Sequence, residues 1–91
     1  MLKYMGLVHQ GGGFYFDEKN VKGKVKISQL ITDGPAVDLG VFGFEDSEFY
    51  KVLEKGHYEF EVSVDGVAGT KSYNVNVDQF INTNGNFFKA E

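Results

Sequence analysis

The stretch Val21-Lys22-Gly23-Lys24-Val25-Lys26-Ile27 decides the fold class. Its strict alternation sets Val21, Val25 and Ile27 on one face of an extended strand and Lys22, Lys24 and Lys26 on the other. The same period of two returns downstream. Tyr58, Phe60, Val62 and Val64 alternate with Glu59, Glu61 and Ser63, and Tyr73, Val75 and Val77 alternate with Asn74, Asn76 and Asp78. Each run has the pattern of a strand with one face in a core and one in water.

Outward from these runs, Leu2 to Val8 reads as a first strand, and Gly11-Gly12-Gly13 as a flexible loop before Phe14-Tyr15-Phe16 resumes an extended path. Asp17 to Asn20 is a turn. The lysine-faced strand runs from Val21 towards Ile31 and stops at Thr32-Asp33-Gly34-Pro35, where Pro removes a ladder donor. A further strand covers Ala36 to Phe44, with Gly40 and Gly43 marking a bulge or a close backbone approach. Phe49, Val52 and Leu53 then fall at i, i+3, i+4, with Asp46 or Ser47 as N-cap and Gly56 as stop, which predicts a short helix over 47–54. Asp65-Gly66 and Gly69 supply a hairpin turn, the returning strand ends near Phe80-Ile81, and Asn82 to Asn86 forms a loop. Strand regions, one short helix and a hairpin, in that order, predict an all-β chain with one short helix, folded as a small OB-like Greek-key barrel of about five strands. Other small barrels or a curled antiparallel sheet fit the same pattern.

A chain of 91 residues makes one domain, spanning 1–91. It has no Cys, so neither disulfides nor thiolate metal sites support it. No export leader or membrane-spanning run is visible, which places the protein in the cytoplasm of its cell or host without a membrane partner. The formal charge of −4 opposes simple binding to nucleic acid. Its distribution is uneven, however: Lys19, Lys22, Lys24 and Lys26 cluster, while Asp33, Asp38, Glu45, Asp46, Glu48 and Glu54 follow them. All nine basic residues are Lys, so the bidentate guanidinium contacts that read guanine edges are missing.

Rings for bases to stack on and lysines for phosphates are what a single-strand-binding surface needs. Phe14, Tyr15 and Phe16 are the candidate rings, with Tyr73 weaker because its period groups it with Val75 and Val77. Lys19, Lys22, Lys24, Lys26 and Lys71 are the candidate cations. The competing reading is a solvated lysine edge that discourages sheet-to-sheet pairing, with the rings turned inward.

From Lys55-Gly56-His57-Tyr58-Glu59-Phe60-Glu61-Val62 through Asp65-Gly66 to Asn74-Val75-Asn76-Val77-Asp78, with Gly23-Lys24 upstream, the chain resembles the filamentous-phage gene V type of single-stranded DNA-binding proteins. The likeness covers roughly Val21 to Phe80 and consists of spacing and residue type. It implies an OB-fold homodimer or higher oligomer that coats single-stranded DNA cooperatively in replication or transfer of a phage or mobile element. Backbone contacts would come from Lys22, Lys24 and Lys26, with Lys71 closing over the strand. The family's Arg and exposed Tyr are absent from the lysine-faced strand.

His9 and His57 show no ligand spacing, and paired carboxylates at Asp46/Glu48 and Glu59/Glu61 read as solvated faces. Gly11 to Gly13 lacks the Lys-Ser/Thr ending of a phosphate loop. The expectation is therefore a non-enzymatic protein without cofactor or metal. Tyr58, Phe60, Phe42 and Phe44 should be core, with Phe49 or Val52 packed under the barrel. Adjacent Phe87 and Phe88 near the chain end point to a docking peptide for a protein partner or a self-association contact, unless a last strand pairs back on the sheet. The rival to DNA binding is a small acidic protein-interaction module, an inhibitor or virion assembly protein, whose negative charge meets a basic partner.

Overall fold

The computed structural model describes residues 10–78 and 86–90. The expected strand over Leu2 to Val8, His9, the strand end at Phe80-Ile81 and the loop over 82–85 lie outside the described residues. Seven strands are found among the described residues: β1 Gly11–Tyr15, β2 Gly23–Leu30, β3 Val37–Phe44, β4 Glu48–Val52, β5 Gly56–Val64, β6 Lys71–Val77 and β7 Phe87–Lys89. They contain no helix, so none is long and apolar enough to cross a membrane.

The all-β class holds, but the barrel does not close. The strands form two sheets, β3-β2-β5-β6 and β4-β1-β7. Every pair is antiparallel except β1 with β7. The alternating runs behave as their pattern requires. In β2, Gly23, Val25 and Ile27 are buried while Lys24 and Lys26 are exposed. In β5, Tyr58, Phe60 and Val62 are buried. A bulge interrupts the β2–β3 ladder, because Ile27 pairs with Gly40 but Ser28 pairs with Asp38, leaving Leu39 as the extra residue. Gly40 takes φ 114° there, a conformation that a Cβ would strain.

The predicted helix over 47–54 is instead a turn and a strand. Asp46 and Ser47 take φ 60° and 65°, and the Glu48 N–H donates to the Glu45 carbonyl at 3.4 Å. Two consecutive positive φ angles are the signature of a type I′ turn, which reverses the chain where a helix would begin. Phe49 then faces inward opposite Phe14, and Val52 is 60% exposed. Phe49, Tyr50 and Val52 are strand formers, and pairing with β1 prevails over a helical period only two turns long.

The triglycine is not a loop either. Gly11, Gly12 and Gly13 are buried in β1, the central strand of the small sheet. A Cβ on Gly12 would come within 2.9 Å of Val75, and one on Gly11 within 2.6 Å of the Tyr50 hydroxyl. The glycines let β6 approach from one side and rings lie flat on the other.

The core lies between the sheets. A row of rings, Phe49-Phe14-Phe88, crosses the inner face of the small sheet. Phe14 stacks on Phe49 at 5.4 Å and meets Phe44 edge-on at 5.1 Å. Phe60 and Phe44 close the cluster from the large sheet, as expected for core residues, with Phe42 half-buried beside them. Burial of each such ring stabilises the fold by roughly 1.5–3 kcal/mol.

Candidate functional site

The structure separates the predicted rings from Lys24 and Lys26, but brings Phe16 and Tyr73 to one concave surface with Lys71, and Tyr15 and Phe16 to another with Lys19. Lys22, Lys24 and Lys26 are exposed, Lys24 and Lys26 on the outer face of the large sheet. Register places Lys26 opposite Glu61 and Ser28 opposite Glu59, so a carboxylate row on β5 runs beside the ammonium row on β2. Phe14 is fully buried between the sheets. Phe16 is half-buried and stacks on Phe44 at 5.9 Å, and Tyr73 lies 4.7 Å from Phe88. Phe14 packs the interior, while Phe16 and Tyr73 pack against the core and also line a concave surface beside Lys71. Tyr15 does point outward, but from the small sheet, where it stacks on Phe87 at 5.7 Å. Sheets of a sandwich pack about 10 Å apart, so Tyr15 and the lysine row face away from each other across the full thickness of the core. Lys71 is exposed at the start of β6, and Lys19 is exposed in the β1–β2 loop.

Phe87 and Phe88 also find places. β7 pairs in parallel with β1, turning Phe88 into the core and Phe87 onto the outer face opposite Gly13. Asn86, fully buried, anchors this return: its side-chain amide donates to the Gly11 carbonyl at 2.7 Å, and its carbonyl accepts from the Gly13 N–H at 2.9 Å.

What the fold brings together is an acidic end. The β1–β2 loop carries Asp17, Glu18 and Lys19, the β3–β4 turn carries Glu45, Asp46 and Glu48, and the β5–β6 turn carries Asp65. Two concave surfaces meet at Glu48. The larger, about 600 Å³, adds Lys22, Asp65, Phe49 and Tyr50, and the smaller, about 340 Å³, is lined by Tyr15, Phe16, Asp17, Glu18 and Asp46. Six carboxylates there face Lys19 and Lys22, with Asp17 also bound to Lys89 at 2.8 Å. All six carboxylate residues are exposed.

Ser47 holds this end together. Its backbone N–H donates to the Val21 carbonyl at 2.8 Å, and its carbonyl accepts from the Phe16 N–H at 2.9 Å. Its hydroxyl accepts from the Val21 N–H at 2.9 Å and donates to the Glu18 carbonyl at 2.5 Å. Four hydrogen bonds on one residue, 7% exposed, tie the β1–β2 loop to the β3–β4 turn. Sequence reasoning assigned Ser47 to a helix cap and missed this role. The available signal was the polar tetrad Glu45 to Glu48 between aromatic runs, which has turn chemistry.

Two phenols are shifted. Burial pushes Tyr50 upward, and burial together with the Glu54 carboxylate raises Tyr58, whose hydroxyl donates to the Glu54 carbonyl at 2.6 Å. Neither lies beside a nucleophile–base pair, and the described residues contain no group of three or more His, Cys, Asp or Glu placed to hold a metal ion.

Comparison with protein-family models, curated proteins and solved structures finds no match to this chain. The resemblance to the gene V type rests on the residues quoted for it alone.

Proposed function

We propose that the protein is a non-catalytic interaction module whose acidic end engages a basic segment of a protein partner. The observation that carries this reading is the convergence of six exposed carboxylates, from three separate turns, around concave surfaces floored by Phe16, Phe44, Phe49 and Tyr50. Carboxylates attract ammonium and guanidinium groups, and ring faces accept them through cation–π contact. The fold already uses that contact internally, with the Lys51 ammonium 4.6 Å from the centre of the Phe42 ring. The Ser47 clamp holds the turns in place before binding, which lowers the ordering cost of association.

Single-stranded DNA binding by an oligomer is the second reading, favoured by the exposed Lys24 and Lys26 pair on β2. It would proceed on that pair without a ring beside it on the same face.

One titration series tests both. A fluorescein-labelled octa-arginine peptide and a labelled oligothymidylate are titrated at two salt concentrations against wild type, Glu45→Gln/Asp46→Asn/Asp65→Asn, and Lys24→Ala/Lys26→Ala. The proposal requires peptide binding that weakens with salt and falls roughly tenfold in the acidic triple variant, since exposed pairs contribute ~0.2–1 kcal/mol each. Oligonucleotide binding that is lost in the lysine variant, with no peptide binding, refutes it in favour of the second reading.

A further inference from the structure

A strand at the edge of a sheet presents unpaired N–H and C=O groups, and proteins guard such edges with charge, brevity or a bulge. Among the described residues β3 and β6 are the edges of the large sheet, and β4 and β7 those of the small one. Strand β7 has three residues. Strand β4 carries Glu48 and Lys51, and β6 carries Lys71 with Asn74 and Asn76. Strand β3 is eight residues long, and its one charged side chain, Asp38, lies near its start.

The guard on β3 is its bulge. Leu39 is the extra residue there, and the Gly40 N–H donates to the Asp38 carboxylate at 2.8 Å. Past the bulge, Val41 to Phe44 pair regularly with β2, from Lys26 back to Gly23. These four residues carry no charge, Val41 is 60% exposed, and Gly43 is exposed. They lead directly into the acidic end, because Gly43, Phe44, Glu45 and Glu48 line the same concave surface of about 600 Å³. An open edge and an anionic concavity thus form one continuous surface.

We propose that the basic segment of the protein partner binds as an extended strand, added to the free edge of β3 along Val41 to Phe44 with its cationic end over Glu45 and Glu48. The inference rests on the reading of the acidic end and specifies the form of the partner. Main-chain hydrogen bonds to β3 supply affinity, and the carboxylates fix the register. The cations belong at one end only. Lys24 and Lys26 lie one strand further in on the outer face, and the Lys51 ammonium stands over the Phe42 ring, so further cations along the added strand would meet like charge. The fitting partner therefore has two or more Lys or Arg followed by uncharged, strand-forming residues.

The test separates backbone pairing from charge. A fluorescein-labelled peptide of three arginines followed by Thr-Val-Thr-Val-Thr is titrated against the full chain, beside the same peptide N-methylated at every Thr and Val amide. The second peptide keeps its charge and loses its strand donors. Four edge residues pair with about two donors of an added strand, each bond worth a severalfold gain, so N-methylation should weaken binding roughly tenfold. Amide exchange followed by NMR should slow, with the first peptide only, at the alternate positions of Val41 to Phe44 that face away from β2. A chain that binds neither peptide overturns the reading of the acidic end and this inference with it. Equal binding of the two, or slowed exchange confined to residues 45–48 and 65, overturns strand addition and leaves the acidic end standing. Protection of every amide from Val41 to Phe44 in the free chain also overturns it, and shows the edge to be occupied by another segment or, if protection rises with concentration, by a second copy.

Discussion

Replacing Phe14 by Ala removes the centre of the core. The ring is fully buried and lies within 6.4 Å, centre to centre, of Phe16, Phe44, Phe49, Phe60 and Phe88. Truncation of a buried Phe costs ~3–5 kcal/mol, and loss of five ring contacts puts this site at the upper end of that range. A domain of this length is stabilised by about 5–14 kcal/mol in total. With a urea slope of about 1.3 kcal/mol/M, a loss of ~4 kcal/mol moves the unfolding midpoint down by about 3 M. Tyr15→Ser, one residue on and on the opposite face, should cost under ~1 kcal/mol. The assay is urea unfolding of the three proteins at low micromolar concentration, followed by tyrosine fluorescence and far-ultraviolet circular dichroism. A Phe14→Ala midpoint within about 0.5 M of wild type, or a larger loss for Tyr15→Ser, would refute the alternation on which the two-sided reading of β1 depends.

Other outcomes follow from the same geometry. Ser47→Ala removes the acceptor of the Val21 N–H in a partly buried setting and should cost ~1–3 kcal/mol, read as a shift of the thermal midpoint. Gly12→Val should destabilise by ~1–3 kcal/mol or more, because its Cβ would already be 2.9 Å from Val75 and 3.3 Å from Phe60; urea unfolding measures it. The raised pKa of Tyr58 means that the folded chain holds a proton which the unfolded chain releases near pH 10. Its contribution is complete below that pH and is lost as pH rises through the folded value, so stability falls above about pH 10. Tyr58→Phe should flatten this alkaline fall while costing ~1 kcal/mol at pH 8 for the lost bond to the Glu54 carbonyl, and urea midpoints at pH 8 and 10.5 give both numbers.

Period-two patterning was sufficient to place β2, β5 and β6 and to say which of their side chains point inward. Side chains on a strand alternate by covalent geometry, so no knowledge of the partner strand is needed. The turns at Asp17 to Asn20, Thr32 to Pro35 and Asp65 to Gly69 were legible for a similarly local reason: Gly, Asn and Pro restrict or free φ wherever they stand. Segments whose local signal is weak or ambiguous were decided by their neighbours. Gly11 to Gly13 carries no side chain to report its burial, and it is a strand because Tyr50, Phe87 and Val75 occupy the space around it. Residues 47–54 fit a helical period on paper, yet Asp46 and Ser47 adopt a turn whose hydrogen bonds come from the distant Phe16, Glu18 and Val21. The relation between the candidate rings and the lysine row was hidden for the same reason. Proximity along the chain put Phe14 to Phe16 beside Lys24 and Lys26, whereas the turn over 17–20 carries the chain from one sheet to the other. Which charged groups share a surface is a property of how sheets stack, and stacking is set by long-range burial of Phe14, Phe49, Phe60 and Phe88 that no local window contains.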